Sequence, residues 1–281
     1  MKLGRFRTAD GINLGKLAGD QIVDLTAAGY GTSMRDLLTR LPEIRDEIAA
    51  VDGPTVPLKG ATLEAPIADP QKFLALGMNY KEHADGARKA GIPVPDSQLW
   101  FNKQVSCING PYHDIDLPKV SEKLDYEAEL AVIIGKRCKH VDPARYREVV
   151  AGYAVANDVS VRDWQLRSPT FTLGKSFDTH GPFGPWITTD DEVDDPQALP
   201  ILAHVNGEVR QDSNTDDMIY SIAEQIAYIS TAFTLEPGDV LLTGTPSGVG
   251  IETGVFLKEG DVVRIEIGNL GHIENKVAVL G

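Results

Sequence analysis

The amino-acid sequence predicts an α+β protein in which strands predominate, and three observations carry this. Short apolar runs suited to buried strands recur, Leu130–Ile134 and Val240–Thr243 being the clearest. The dipeptides Asp10-Gly11, Gly19-Asp20 and Asn206-Gly207 have the chemistry of tight hairpin turns. Helical and strand patterns do not alternate regularly, so a doubly wound sheet is disfavoured.

Along the chain, Leu3–Arg7 and Ile22–Leu25 read as short strands broken by the first two turns. A helix is predicted from Ser33 to Ala50. Ser33 is its cap, with Asp36 three residues on in a capping-box-like pattern. Gly53, Pro54, Pro57, Gly60, Pro66 and Pro70 then punctuate the chain. A domain boundary is expected there, with a small α+β domain over 1–65 and a larger, mainly β domain over 66–281. Within the second, 125–135 reads as one strand and 152–158 as another. Ser160 is expected to cap a helical turn running to Gln165. Asn206-Gly207 joins a strand at 201–205 to one beginning near Val209. Ile219, Ile222, Ile226, Ile229 and Phe233 form one stripe of a helix over Met218–Phe233. Val262–Ile267 alternates as a half-exposed strand does.

The 281 residues carry a net charge of −14, and residues 1–65 hold 8 basic against 9 acidic side chains. The acidity therefore belongs almost wholly to the larger domain. Nucleic acid and anionic membranes need a basic footprint, so neither is an expected partner. An anionic substrate stays open, because a bound cation can reverse the local sign. No apolar run suits a secretory signal or a membrane helix. Cys107 and Cys138 lack metal-type spacing and fit buried positions in a reducing cytoplasm. The glycine-rich run Thr243–Gly250 is not a phosphate-binding loop, since no Gly-Lys-Ser/Thr ends it, and the chain has no G-x-G-x-x-G, no G-x-S-x-G and no H-E-x-x-H. A dinucleotide enzyme, a standard α/β-hydrolase and a zinc protease lose ground accordingly.

The chemistry points elsewhere. In a strand, Glu127 and Glu129 face the same way, and Ala128, Leu130, Val132 and Ile134 face the other. Ala131 and Ile133 follow on the glutamate side, so apolar cover is expected on both faces. Two like charges in such a place need a positive partner, and a hard divalent cation is one solution. Spacing alone does not establish it, since Asp114 and Asp116 repeat the pattern in a loop. Asp158 ends the second apolar strand and is either a strand-end cap or a third oxygen ligand. Three carboxylates without Cys or His would suit Mg²⁺ or Mn²⁺. His83, in a polar helical stretch after Gly77-Met78-Asn79-Tyr80, is a candidate general base. Lys175, after Gly174, is placed to reach an anionic oxygen.

Five ordered patterns occur from about Phe73 to the C-terminus: G-M-N-Y-x-x-H, D-Y-E-x-E-L-A-V-I-I-G-K, N-D-V-S-x-R-D-x-Q, G-K-S-F-D-T-x-G-P-x-G-P and T-G-T-P-x-G-V-G. Together they closely resemble the fumarylacetoacetate hydrolase family, in its bacterial two-domain form. The resemblance implies a mixed β-roll or sandwich catalytic domain, a homodimer, and one Mg²⁺ or Mn²⁺ per subunit. It implies Glu127, Glu129 and Asp158 as metal ligands, His83 as the residue that activates water, and Lys175 beside metal and substrate. Thr245, Gln165 and Lys103 correspond to substrate-side positions.

The implied activity is hydrolysis of a carbon–carbon bond in a 2,4-dioxo acid, such as an acylpyruvate, giving pyruvate or a related 2-oxo acid. The implied alternatives are oxaloacetate decarboxylation and 2-hydroxydienoate isomerisation at the same site. One departure bears on the choice. Many relatives carry a glutamate three residues after the histidine, where this chain has Gly86. Asp85 or Glu82 is expected to orient the imidazole in its stead.

Overall fold

The computed structural model describes residues 1–89, 91 and 93–281. Its main sheet runs through ten strands in the order Thr55–Pro57, Gln21–Asp24, Ile12–Ala18, Lys2–Arg7, Gly181–Thr189, Val150–Asn157, Ala128–Ile134, Val240–Leu242, Phe73–Gly77 and Leu99–Asn102. Two short strands add to it off this path. The predicted turns at Asp10-Gly11 and Gly19-Asp20 join the first three strands of the chain into a meander. Lys2 and Leu3 pair antiparallel with Thr188 and Ile187, so the N-terminal strands extend the same sheet.

A second sheet has the order Glu208–Asn214, Pro200–Val205, Val262–Ile267, Gly271–Ala278 and Ile115–Asp116. Asn206-Gly207 closes its hairpin as predicted, with Asn206 and Gly207 both at positive φ. This sheet covers one face of the main sheet. Leu130, Val132 and Ile134 pack there with Ile201, Ile265 and Ile273. Ala131 and Ile133 point to the opposite face, where they join Leu37, Leu38 and Leu41 of helix α1 (Met34–Ala50). Every residue of Ala128–Ile134 and Val150–Asn157 is buried, so apolar cover lies on both faces, as the sequence predicts.

α1 begins as expected, with Ser33 Oγ accepting a hydrogen bond from the Asp36 amide. Helix α2 (Lys81–Lys89) carries His83, and α3 (Arg162–Gln165) is one turn. Helix α4 (Ile222–Ala232) is shorter than predicted. Ser221 and Glu224 form a capping box that starts it, while Asn79 binds the amides of Ile219 and Tyr220 ahead of it. Phe233 lies past its end and is exposed, so the buried stripe is Ile222, Ile226 and Ile229. Helix α5 (Gly250–Thr253) follows the glycine-rich turn. Among the described residues, no helix is long and apolar enough to cross a membrane.

Two local expectations are corrected. The stretch 125–135 is two strands, because Leu124–Asp125 leaves the sheet to pair with Ser160–Val161. Tyr126 and Glu127 form the break. The Asp125 carboxylate binds the Tyr126 amide, and Asn157 Oδ1 binds the Glu127 amide. Ser160 does not cap α3. It lies in the short strand and donates its hydroxyl to the Asp158 carbonyl, leaving Val161 at the cap position.

Candidate active site

Glu129 sits inside the strand Ala128–Ile134, and Glu127 at the break before it. Asp158 follows the neighbouring antiparallel strand, which pairs Ala128 with Asn157. This register brings the three carboxylates together from separate parts of the chain. One oxygen from each lies within 4.8 Å of the others, and all three residues are buried.

Basic groups surround two of the three. Lys175 Nζ donates to Glu127 Oε2 at 2.5 Å and to Asp158 Oδ2 at 2.7 Å. Arg162 Nη1 is 2.6 Å from Glu127 Oε1, and its Nε donates to Asp125 at 2.7 Å. Lys103 Nζ donates to Asp158 Oδ1 at 2.6 Å and also to the Lys175 carbonyl. Glu129 has no basic partner within salt-bridge distance among the described residues. It accepts a 2.7 Å hydrogen bond from the Gly244 amide. Gly244 holds φ at +101°, and a Cβ there would lie 2.7 Å from Asn79 Cβ, so the close approach requires glycine.

The two glutamates titrate in opposite directions. Burial pushes the Glu127 carboxyl up, but Lys175 and Arg162 outweigh it and hold it at about 2. Burial, then the charges of Asp158 and Glu127, push Glu129 well above the ordinary range. Three converging oxygen donors, one with no salt bridge among the described residues, fit a hard divalent cation such as Mg²⁺ or Mn²⁺.

A cleft of about 670 Å³ opens over this cluster. Glu127, Glu129, Arg162, Gln165, Lys175 and Thr245 line its floor side, and α2 supplies His83 on the wall. Gln165 Oε1 accepts from Arg162 Nη1 at 3.0 Å. The Thr245 hydroxyl accepts from Gln211 at 2.9 Å. Lys103 lies apart from this group: it is wholly buried behind Asp158 and does not line the cleft.

His83 is oriented by a residue absent from the sequence reading. Its Nδ1 lies 2.5 Å from Glu252 Oε1, on α5. The expected partners are engaged elsewhere. Asp85 pairs with Arg88, and Glu82 accepts from the Ser247 hydroxyl. A Cβ on Gly86 would stand 3.5 Å from Glu252 Oε1, so Glu252 occupies the space beside the glycine. Burial disfavours the charged Glu252, but hydrogen bonds from His83 and the Gly248 amide prevail, and its carboxyl titrates below the ordinary value. Arg162 and Asp125 also went unassigned in the sequence reading, although both stand inside the recognised patterns. Glu252 lies just beyond the last of them and carried no signal of its own.

A family model for the C-terminal part of fumarylacetoacetate (FAA) hydrolase matches residues 72–278. The chain belongs to the fumarylacetoacetate hydrolase family. A proposed hydrolase of Burkholderia cenocepacia is 45% identical over 262 residues, which span 88% of this chain and 91% of that one. Maleylpyruvate hydrolase from Sphingobium sp. SYK-6, solved with manganese(II) and pyruvate, is 35% identical. It covers 99% of both chains, with a TM-score of 0.84. The 5-carboxymethyl-2-hydroxymuconate delta-isomerase of Mycobacterium smegmatis is 34% identical over 100% of both, with a TM-score of 0.81. Fumarylacetoacetate hydrolase relatives of this chain thus include both a hydrolase and an isomerase.

Proposed function

We propose that the chain hydrolyses a carbon–carbon bond in a 2,4-dioxo acid, releasing pyruvate or a related 2-oxo acid and a carboxylic acid. The observation that carries this reading is the His83–Glu252 pair in one cleft with Glu127 and Glu129, two of the three clustered carboxylates. Likeness to a hydrolase solved with manganese(II) and pyruvate supports it.

Glu127, Glu129 and Asp158 are assigned to hold one Mg²⁺ or Mn²⁺ per subunit. That ion, when bound, supplies Lewis-acid stabilisation of a developing oxyanion. Glu252 holds Nδ1–H of His83, which leaves Nε2 to take a proton from water in the cleft. The water oxygen adds to C4 of the dioxo acid. The C3–C4 bond then breaks, its electron pair stays with C3, and a proton completes the methyl group of pyruvate. Lys175 and Arg162 add positive charge beside the reacting oxygens. Gln165 and Thr245 are assigned to contact the substrate. Lys103 is assigned to orient Asp158 and not to touch substrate, given its burial.

Likeness to an isomerase favours a second reading, isomerisation of a 2-hydroxydienoate by proton transfer through His83. Glu252 supplies the carboxylate that Gly86 takes away, so a weakened base no longer argues for that alternative or for oxaloacetate decarboxylation. The reading keeps 66–281 as the catalytic domain and 1–65 as an N-terminal unit; every residue lining the cleft falls in the former. It also includes a homodimer, for which light scattering should give twice the 30.5 kDa chain mass.

The test is pyruvate release from an acylpyruvate by protein loaded with Mg²⁺ or Mn²⁺, stripped protein, and the Glu129→Gln variant. Turnover by the loaded protein alone is expected, with metal binding lost in the variant. A metal-replete, active Glu129→Gln protein contradicts the ligand assignment.

A further inference from the structure

The proposed hydrolysis fixes the 2-oxo acid end of the substrate, and the far wall of the cleft bears on the other end. Phe101 lies under Lys175, whose Nζ is 5.0 Å from its ring centroid, so the apolar wall starts beside the carboxylate cluster. Phe171 meets Phe101 edge-on, with centroids 5.8 Å apart. Leu99, Leu166 and Ile251 continue the lining. Leu166 and Ile251 are 67% and 40% exposed, which leaves large apolar side chains facing water at the cleft.

Charge is distributed unevenly around the same space. Among the described lining residues, only Arg162 and Lys175 are lysine or arginine. Asp125, Glu127 and Asp158 engage both, and Arg162 Nη2, which has no partner, is buried within that cluster. The other charged groups away from the cluster are the acids Glu82 and Glu252, beside His83. Away from those two side chains, a second carboxylate on the substrate would meet an apolar wall or like charge, with no other lysine or arginine among the described lining residues to receive it. A hydrocarbon group would instead gain roughly fourfold in binding for each methylene it buries.

Resting on the hydrolase reading, we propose that this cleft takes acylpyruvates with an apolar acyl group, branched aliphatic or aromatic. It discriminates against acyl groups that end in a second carboxylate, as in maleylpyruvate. Leu166 is the specificity-determining residue most open to test, because its exposure makes substitution tolerable to the fold.

The experiment compares kcat/KM for acetylpyruvate, 4-methylpentanoylpyruvate and succinylpyruvate with Mn²⁺-loaded protein; the last two match in shape. The branched substrate is expected to exceed the other two by at least about tenfold. Leu166→Arg should narrow its advantage over succinylpyruvate by at least about threefold. Equal or faster cleavage of succinylpyruvate by the natural protein overturns the inference. If no dioxo acid is cleaved, the hydrolase reading fails separately. Calorimetry then compares 5-methyl-2-oxohexanoate with 2-oxoglutarate on the same loaded protein. Tighter binding of the former upholds the apolar specificity, and equal or tighter binding of 2-oxoglutarate overturns it.

Discussion

Glu252 reaches His83 Nδ1 across the space beside Gly86. The pair follows from two residues far apart in the chain, so each makes a prediction about the other. Glu252→Gln should lower kcat roughly tenfold to a hundredfold with little change in KM, since it removes the group that fixes the imidazole. Adding Gly86→Glu to that variant should recover part of the loss by supplying a carboxylate from α2. Steady-state kinetics on the single and double variants check both. Apart from His83, a second histidine bears on stability. His180 is wholly buried, donates Nε2–H to the Asp116 carbonyl, and leaves Nδ1 unpartnered. Burial lowers it to about 4. Its folded value lies below its unfolded one, so the unfolded chain binds the proton first as pH falls. Stability present above about 6.5 is then lost toward pH 4, by up to about 3 kcal/mol. Denaturant titrations at pH 7 and pH 5 measure the loss, and His180→Gln should flatten it.

The short elements hold the site in register, and Asp125 is where three of them meet. Its carboxylate accepts from the Tyr126, Gly250 and Ile251 amides and from Arg162. It thereby ties α3, which presents Arg162 to Glu127, to the N-terminus of α5, which carries Glu252. Asp125→Asn breaks a buried ion pair and should cost about 3–5 kcal/mol. It should also reduce kcat, by loosening Glu252 and Glu127 together. Denaturation and kinetics on one preparation would reveal both effects. These elements were the least legible in the sequence. Apolar alternation over 125–135 reads as one strand, and nothing local announces that Asp125 prefers helix α5 to the sheet. The Met218–Phe233 stripe likewise outruns α4, because its first apolar residue precedes the Ser221 cap. The long buried strands, α1 and the Asn206-Gly207 hairpin were legible, since local pattern and tertiary packing agree there.

Across the whole molecule, an acidic protein gathers basic side chains at one place. Lys103, Lys175 and Arg162 converge on carboxylates brought together by the antiparallel register of two buried strands. The three acids stood out in the sequence because each carboxylate ends or interrupts an apolar run. Their convergence was not, since it depends on pairing between distant segments, as does the pairing of Lys2 and Leu3 with Thr188 and Ile187. On the proposed function, this arrangement directs water at C4 of a dioxo acid. Cleavage of 4-methylpentanoylpyruvate in ¹⁸O-water tests it most directly, read as the mass of the acid released by metal-loaded protein. The expected result is ¹⁸O in the new carboxylate together with stoichiometric pyruvate. Release of unlabelled acid, or consumption of substrate without an acid product, would contradict it.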